Sequence, residues 1–437
     1  MANAIKNQEE ILEKLGIPAL NPMQQEAFET IEKWNNVVVL SPTGSGKTLS
    51  FLLPLLDKLN PEIDAVQALI LVPSRELAIQ IEQVVRNMGT GFKANAVYGG
   101  RAIAKDKQDL KHAPALLIGT PGRIADHFRQ ERLDTHYIET LVLDEFDKSL
   151  EVGFEKEMKE IIYLLPNLKN RILTSATQGV DVPDFVGLKA PKTVNFLTEK
   201  KPNLTIATVT TNTPDKFDEL LLLLEHLGNK PGIIFCNLKD TLQKVSDFLA
   251  KRTKLNFECF HGGMEQRERE RALIKFRNGT AQLLLATDLA ARGIDIPELK
   301  FIIHYQLPYS EEEFIHRNGR TARVDREGTA YILLYEKAKV PEFIKDAEEA
   351  DINERSKPVK SYWETLFISG GRKDKISKGD IAGLFFKQGN LTKEQLGVIE
   401  LKQDCAFVAV PKTMAHKLCS DLNNSRLKKR KVRIYIA

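Results

Sequence analysis

The sequence predicts an α/β protein: two doubly wound parallel-sheet domains in tandem, followed by a smaller α+β unit. Three observations carry this. From about residue 36 to 200, short apolar runs rich in β-branched residues alternate with longer amphipathic stretches. The same rhythm returns from about residue 232 to 334. After a polar break the order of elements changes, and the charge changes with it. Near-continuous hydrophobic strands separated by helices mark parallel sheets covered on both faces.

The first series of strands is expected at Val37–Leu40, Ala68–Val72, Ala115–Gly119, Thr140–Leu143 and Arg171–Thr174. The second is expected at Gly232–Cys236, Phe257–Phe260, Leu283–Ala286, Phe301–His304 and Ala330–Leu334. Glu199-Lys200-Lys201-Pro202 interrupts the pattern between them, and the polar stretch Lys345 to Lys360 reads as a linker or helix end. This gives domains at 1–200, 201–350 and 361–437. In the last unit, strands at Glu364–Ser369, Val398–Leu401, Ala406–Val410 and Val432–Ile436 bracket helices at Ser377–Lys387 and Met414–Leu422, in the order β-α-β-β-α-β.

Hydrophobic residues make up 42% and charged residues 28%, the balance of a soluble globular protein. No apolar run approaches the roughly 20 residues of a membrane span. The first ten residues lack the apolar core of a signal peptide. A cytoplasmic protein that does not engage membranes is expected. Cys236, Cys259, Cys405 and Cys419 do not stand at metal-ligand spacing and suggest no disulfide framework. The net charge of +4 is unevenly placed: residues 361–437 hold 15 basic and 7 acidic residues, leaving 48 basic and 52 acidic in the rest. A basic terminal module on a near-neutral body points to a polyanionic partner.

The strand Val37–Leu40 runs directly into Ser41-Pro42-Thr43-Gly44-Ser45-Gly46-Lys47-Thr48. Gly44 and Gly46 let backbone N–H groups turn toward phosphate oxygens. Lys47 supplies charge for the outer phosphates, the Thr48 hydroxyl suits Mg²⁺, and the following helix adds its N-terminal dipole. Ser41 stands where the usual phosphate-loop pattern has Gly. The loop predicts ATP binding and hydrolysis. Asp144-Glu145-Phe146-Asp147 ends another strand of the same domain. In nucleotide hydrolases a carboxylate there holds Mg²⁺ and another group orients the attacking water. Asp144 fits the first role and Glu145 the second.

With these motifs in place the sequence resembles the DEAD-box RNA helicases over about residues 10–340, which implies two RecA-like domains. The box carries Phe146 where that family has Ala. Pro22-Met23-Gln24 resembles the end of the family's adenine-reading motif, and a Gln amide can both donate to and accept from adenine. Pro73-Ser74-Arg75-Glu76-Leu77-Ala78, Gly99-Gly100 and Thr120-Pro121-Gly122-Arg123 resemble its RNA-gripping motifs, which makes Arg75, Gly100, Thr120 and Arg123 candidate RNA contacts. Ser175-Ala176-Thr177 resembles the motif that links hydrolysis to strand separation, and Asp147 would couple to Ser175 and Thr177. In the second domain, the resemblance makes Gln266, Arg269 and Thr287 RNA contacts and places Gly293 and Asp295 near the nucleotide. His316-Arg317-Asn318-Gly319-Arg320-Thr321-Ala322-Arg323 resembles the arginine-finger motif. Arg320 and Arg323 would stabilise charge on the transferring phosphoryl group, with His316 structural or coupling.

The resemblance implies RNA-driven closure of the two domains and short-range, non-processive duplex opening. Contacts to sugar and phosphate alone carry no sequence information. An ATP-gated RNA clamp with little unwinding, or a general helicase of messenger-RNA turnover or cold adaptation, is compatible with the same motifs.

The element order and charge of the last unit suggest an RNA-recognition-motif fold. Phe367 and Phe407 could be base platforms or ordinary sheet packing, and Cys405 falls where an aromatic is usual. Gly370-Gly371-Arg372-Lys373-Asp374-Lys375 resembles the auxiliary domain of the DbpA family within the DEAD-box helicases. That resemblance implies tethering to a hairpin of large-subunit ribosomal RNA and a role in ribosome assembly, with Arg372, Lys373 and Lys375 as RNA contacts. The run Lys428-Lys429-Arg430-Lys431 either adds affinity or forms a solvated turn. A monomer is expected.

Overall fold

The computed structural model describes residues 6–177, 181–197, 204–288, 296, 299–321, 327–354 and 361–437. The chain divides into two compact units that part between residues 202 and 203.

The first unit runs α1 (Gln8–Leu15), α2 (Pro22–Lys33), β1 (Asn36–Leu40), α3 (Lys47–Asp57), β2 (Ala68–Leu71), α4 (Arg75–Met88), β3 (Ala94–Val97), α5 (Ile103–Asp109), β4 (Leu116–Gly119), α6 (Pro121–Arg129), β5 (Thr140–Leu143), α7 (Phe146–Glu151), α8 (Glu155–Tyr163), β6 (Asn170–Ser175) and β7 (Lys192–Asn195). Its seven strands form a parallel sheet in the order β3-β4-β2-β5-β6-β1-β7. Alternation along each strand divides the core in two. Val37, Val39, Ile70, Ile118, Val142 and Ile172 pack under helices α1–α4 on one face. Leu69, Leu71, Leu117, Leu141, Leu143 and Leu173 pack under α6–α8 on the other.

In the second unit come β8 (Leu204–Thr211), α9 (Phe217–Leu227), β9 (Gly232–Phe235), α10 (Lys239–Arg252), β10 (Phe257–Phe260), α11 (Gln266–Arg277), β11 (Leu283–Ala286), β12 (Phe301–His304), α12 (Glu311–Asn318), β13 (Gly328–Tyr335) and β14 (Glu348–Glu349). A second parallel sheet has the order β10-β11-β9-β12-β13-β8-β14. The remainder is β15 (Trp363–Ile368), α13 (Lys378–Lys387), β16 (Ile399–Leu401), β17 (Ala406–Pro411), α14 (Lys412–Leu422), a hairpin of β18 (Arg426–Leu427) and β19 (Arg430–Lys431), and β20 (Ile434–Ile436). β15, β16, β17 and β20 form an antiparallel sheet, order β16-β17-β15-β20. Leu366, Ile368, Val408 and Val410 turn to its helices, packing on Ile381, Leu384, Phe385, Leu418 and Leu422.

The other face of this small sheet is not open throughout. Thr365 is fully buried, its hydroxyl 2.7 Å from that of Thr280. Ser361 donates to the Gly279 carbonyl, and Trp363 lies against Gly279. Glu400 pairs with Arg277 at the end of α11. The C-terminal module is therefore seated on the α11–β11 turn through one half of its strand face.

Candidate functional site

In the first unit the expected residues collect at the carboxyl ends of the parallel strands, where doubly wound sheets bind ligands. They separate by strand. The phosphate loop and Asp144 follow β1 and β5, and Ser175 ends their neighbour β6, while Arg75, Gly100 and Thr120 follow β2, β3 and β4. One end of one sheet thus carries the residues expected at the nucleotide on one half and those expected at RNA on the other.

The loop Ser41–Gly46 leaves β1 and turns into α3 at Lys47. Gly44 and Gly46 have φ of 84° and 88°, the left-handed region that disfavours a side chain. Lys47 Nζ donates to the Ser41 carbonyl and, at 3.2 Å, to that of Pro42. The Ser41 and Ser45 hydroxyls hydrogen-bond to each other. Thr43 lies in the loop and Thr48 in the first turn of α3. Gln24 and Asn21 close a reciprocal capping box on α2: Asn21 N–H donates to Gln24 Oε1 (3.0 Å) and Gln24 N–H to Asn21 Oδ1 (2.9 Å). Their amides then reach the loop, Asn21 to the Ser45 carbonyl (3.0 Å) and Gln24 to the Gly46 carbonyl (3.2 Å). Here Gln24 holds the phosphate loop, a task the sequence reading did not give it; the Asn21-Pro22-Met23-Gln24 spacing is itself a capping-box signature.

Asp144 is buried, and its carboxylate accepts from the Thr174 hydroxyl. The same hydroxyl accepts from the Glu145 N–H at 3.2 Å, so one side chain fixes both carboxylate residues. Burial pushes the Asp144 carboxyl above the ordinary range, against the Thr174 hydrogen bond and the Lys47 charge. Such a carboxylate favours a cation beside it, and with the hydroxyl of Thr48 this donor set suits Mg²⁺. Glu145 has φ 48° and stands at the N-cap position of α7. Asp147 accepts from the Thr177 hydroxyl at 3.1 Å, and Ser175 Oγ accepts from the Thr177 N–H at 3.0 Å. The Ser41 N–H donates to the Ser175 carbonyl at 3.1 Å. A continuous set of hydrogen bonds therefore joins Asp147, Thr177, Ser175 and the phosphate loop. Phe146 is buried among the apolar side chains under α7 and α8 and disturbs none of these bonds.

On the other half, Arg75 opens α4 after its cap Ser74 and lies against the Gly99–Gly100 turn. Thr120 caps α6. Arg123, expected as an RNA contact, turns inward: Nε donates to the Tyr98 carbonyl (3.1 Å) and Nη2 to that of Arg101. In the second unit Gln266 begins α11 and Thr287 follows β11. Arg269, also expected as an RNA contact, is buried with its guanidinium 4.9 Å from the centre of the Phe260 ring. Both arginines take internal partners that their neighbours in sequence do not reveal.

His316 is buried on α12, and Arg320 is buried just beyond it. Gly293, Asp295 and Arg323 lie outside the described residues. Arg317, which the sequence did not single out, anchors this end of the unit. It pairs with Asp288, donates to Asn237 Oδ1 (2.7 Å) and the Gln306 carbonyl (2.6 Å), and covers the Phe235 ring.

In the C-terminal module, Arg372 and Lys373 donate through their N–H groups to the carbonyls of Lys402 and Gln403. Lys375 ends the turn with φ 59°. Asp374 accepts from the Gly371 N–H and from Arg430, so the basic turn and the β18–β19 hairpin are tied together. Lys428 pairs with Asp380, whose carboxyl is held down at about 2 by Ser377 and Lys428. Phe407 is buried edge-on to Phe367, which stacks on the half-exposed Tyr435 at 4.7 Å.

Residues 21–185 match the DEAD/DEAH box helicase family, 214–325 the helicase conserved C-terminal domain, and 365–436 the DbpA RNA binding domain. The sequence is 31% identical to the ATP-dependent RNA helicase DbpA of Escherichia coli, over 97% of this chain and 95% of that protein. The chain belongs to the DbpA-type DEAD-box RNA helicases. The DbpA of Bacillus subtilis is equally similar, 31% identical over 97% of this chain and 96% of its own. Among solved structures, S. cerevisiae Dbp5 bound to RNA and ADP BeF3 matches with a TM-score of 0.67 and 28% identity, covering 76% of this chain and 88% of that one. The protein is an ATP-dependent RNA helicase, with two RecA-like parallel-sheet domains and a C-terminal antiparallel-sheet domain. Among the described residues, no helix is long and apolar enough to cross a membrane.

Proposed function

We propose that this helicase remodels structured ribosomal RNA during large-subunit assembly, as a cytoplasmic monomer, and that its C-terminal module selects the RNA. The observation that carries the reading is the basic turn Arg372-Lys373-Asp374-Lys375, braced by Arg430 within a DbpA RNA binding domain. The module sits directly on the helicase's second sheet domain, so an RNA held there is held close to α11.

Mg²⁺, when bound, supplies positive charge to the phosphates at Thr48 and Asp144. Lys47 leaves its loop carbonyls for the outer phosphates. Glu145, fixed through Thr174, orients the attacking water. Arg320 and Arg323 add charge where it develops on the phosphoryl group in the RNA-bound, closed state. Asp147, Thr177 and Ser175 pass the change at the nucleotide to the strand ends that grip RNA.

The test is binding of the full chain to large-subunit ribosomal hairpins and to unrelated hairpins of equal length. A clear preference for one ribosomal hairpin, lost in Arg372→Ala/Lys373→Ala/Lys375→Ala, is expected. Equal affinity for all hairpins would sink the ribosomal assignment, and a strand-displacement assay separates a helicase from an ATP-gated clamp.

A further inference from the structure

Asp106 lies on α5, outside every motif considered above, and is fully buried. Three groups that carry or can accept positive charge surround it. Arg101 Nη1 is 3.2 Å from Oδ1, His127 Nε2 is 3.2 Å from Oδ2, and Arg123 Nε is 3.6 Å from Oδ2. Farther out, Asp109 also pairs with Arg101, and Arg132 reaches His127 Nδ1 at 3.4 Å while pairing with Asp126.

The two guanidiniums have work beyond the carboxylate. Arg123 donates to the carbonyls of Tyr98 and Arg101, the residues that bracket the Gly99–Gly100 turn. Arg101 donates to the Ala96 carbonyl at 2.8 Å. The turn needs its glycine: Gly100 has φ 83°, and a Cβ there would fall 2.5 Å from Arg75 Nη1. Arg75 thus rests against the turn, while Arg123 binds the carbonyls on either end of it and Arg101 binds the strand that leads into it.

We infer that Asp106 is a positioning residue for RNA binding: its charge holds Arg101 and Arg123 against the Gly99–Gly100 turn and so sets where Arg75 and the turn's N–H groups meet the RNA backbone. Two guanidiniums packed around one buried site repel each other without a counter-charge, and a buried cluster that loses one partner keeps an uncompensated charge. The inference rests on the RNA-helicase reading.

Asp106→Asn keeps the shape and removes the charge. In an RNA titration of ATPase activity, the RNA concentration for half-stimulation is expected to rise about tenfold or more. The KM for ATP without RNA, and kcat at saturating RNA, stay unchanged. Hydrogen exchange of the free protein gives a second reading that needs no RNA: amides 99–101 exchange faster in the variant. If Asp106→Asn fails to fold, Arg101→Gln is expected to give the same pattern. A folded variant with a lower melting temperature but unchanged RNA titration and exchange overturns the inference. A wild-type protein without RNA stimulation defeats the helicase reading instead, and leaves the exchange experiment to judge Asp106.

Discussion

Arg277 and Glu400 meet in a two-pronged ion pair, Nε to Oε1 at 2.6 Å and Nη2 to Oε2 at 2.8 Å, although 123 residues separate them. One ends α11 and the other lies on β16, so the pair fastens the C-terminal module to the second sheet domain. Burial raises the Glu400 carboxyl, but Arg277 outweighs it and holds the group below the ordinary range. The stabilisation is therefore present above the ordinary Glu value and is lost as pH falls through the depressed one. A double-mutant cycle with Arg277→Ala and Glu400→Ala, read by urea unfolding, is expected to give a coupling of about 1–3 kcal/mol at pH 7, between exposed and buried pairs. Additive single effects would show that the pair fastens nothing.

Phe146 fills the apolar layer under α7 and α8 beside Leu143, Leu173 and Met158. Its side chain is remote in role from the Asp144–Thr174 and Asp147–Thr177 hydrogen bonds, both of which are made. Phe146→Ala is expected to lower stability by about 3–5 kcal/mol, with RNA-stimulated ATPase per folded molecule unchanged. A wild-type enzyme inactive with RNA and a variant that gains activity would reverse this reading.

His304 is fully buried at the end of β12, its Nε2 2.9 Å from Asn318 Oδ1 and its Nδ1 3.4 Å from Arg317. Burial and the Arg317 charge push it down to about 3. The folded protein keeps this imidazole neutral while the unfolded chain protonates it below about pH 6.5. Stability is therefore lost as pH falls from 6.5 toward 3, by up to about 1.4 kcal/mol per pH unit from this group. Unfolding curves at pH 7, 6 and 5 should fall less steeply for His304→Gln than for wild type; parallel curves would remove His304 from the account.

How far the sequence could be read depended on how local each cause was. β1, β2, β4, β5 and β6 announce themselves as buried apolar runs. β3, Ala94-Asn-Ala-Val97, does not, because a buried Asn95 breaks the run. β8 has threonine at four of its eight positions and β7 is largely exposed, so neither reads as a buried parallel strand. The phosphate loop and the Asp144–Asp147 box were legible because their chemistry lies in consecutive residues. For Arg123 and Arg269 the sequence does not show the partners distant in it, here the carbonyls beside the Gly99–Gly100 turn and the Phe260 ring. By sequence Phe407 fits either a base platform or sheet packing; the docking of Thr365 and Glu400 on the same face, and its own burial, favour packing.

The phosphate loop permits a sharper test. A Cβ on Gly46 would lie 2.4 Å from Gln24 Nε2, yet that amide is the tip of a side chain that can move. The φ of 88° cannot be relieved in the same way, because it belongs to the turn itself. A left-handed conformation costs an ordinary residue roughly 1–2 kcal/mol, about tenfold in affinity. Gly46→Ala is therefore expected to weaken ATP binding about tenfold or more, measured by fluorescent-nucleotide titration, without unfolding the domain. Gln24→Ala placed in the Gly46→Ala background removes the clash but leaves the backbone strained, so it should restore nothing. Recovery in the double variant would mean that Gln24, and not the turn, limits the loop. Gln24→Ala alone tests the expected adenine contact against the loop contact: weaker binding of every nucleotide follows from a slackened loop, whereas loss of preference for ATP over GTP follows from a missing adenine contact.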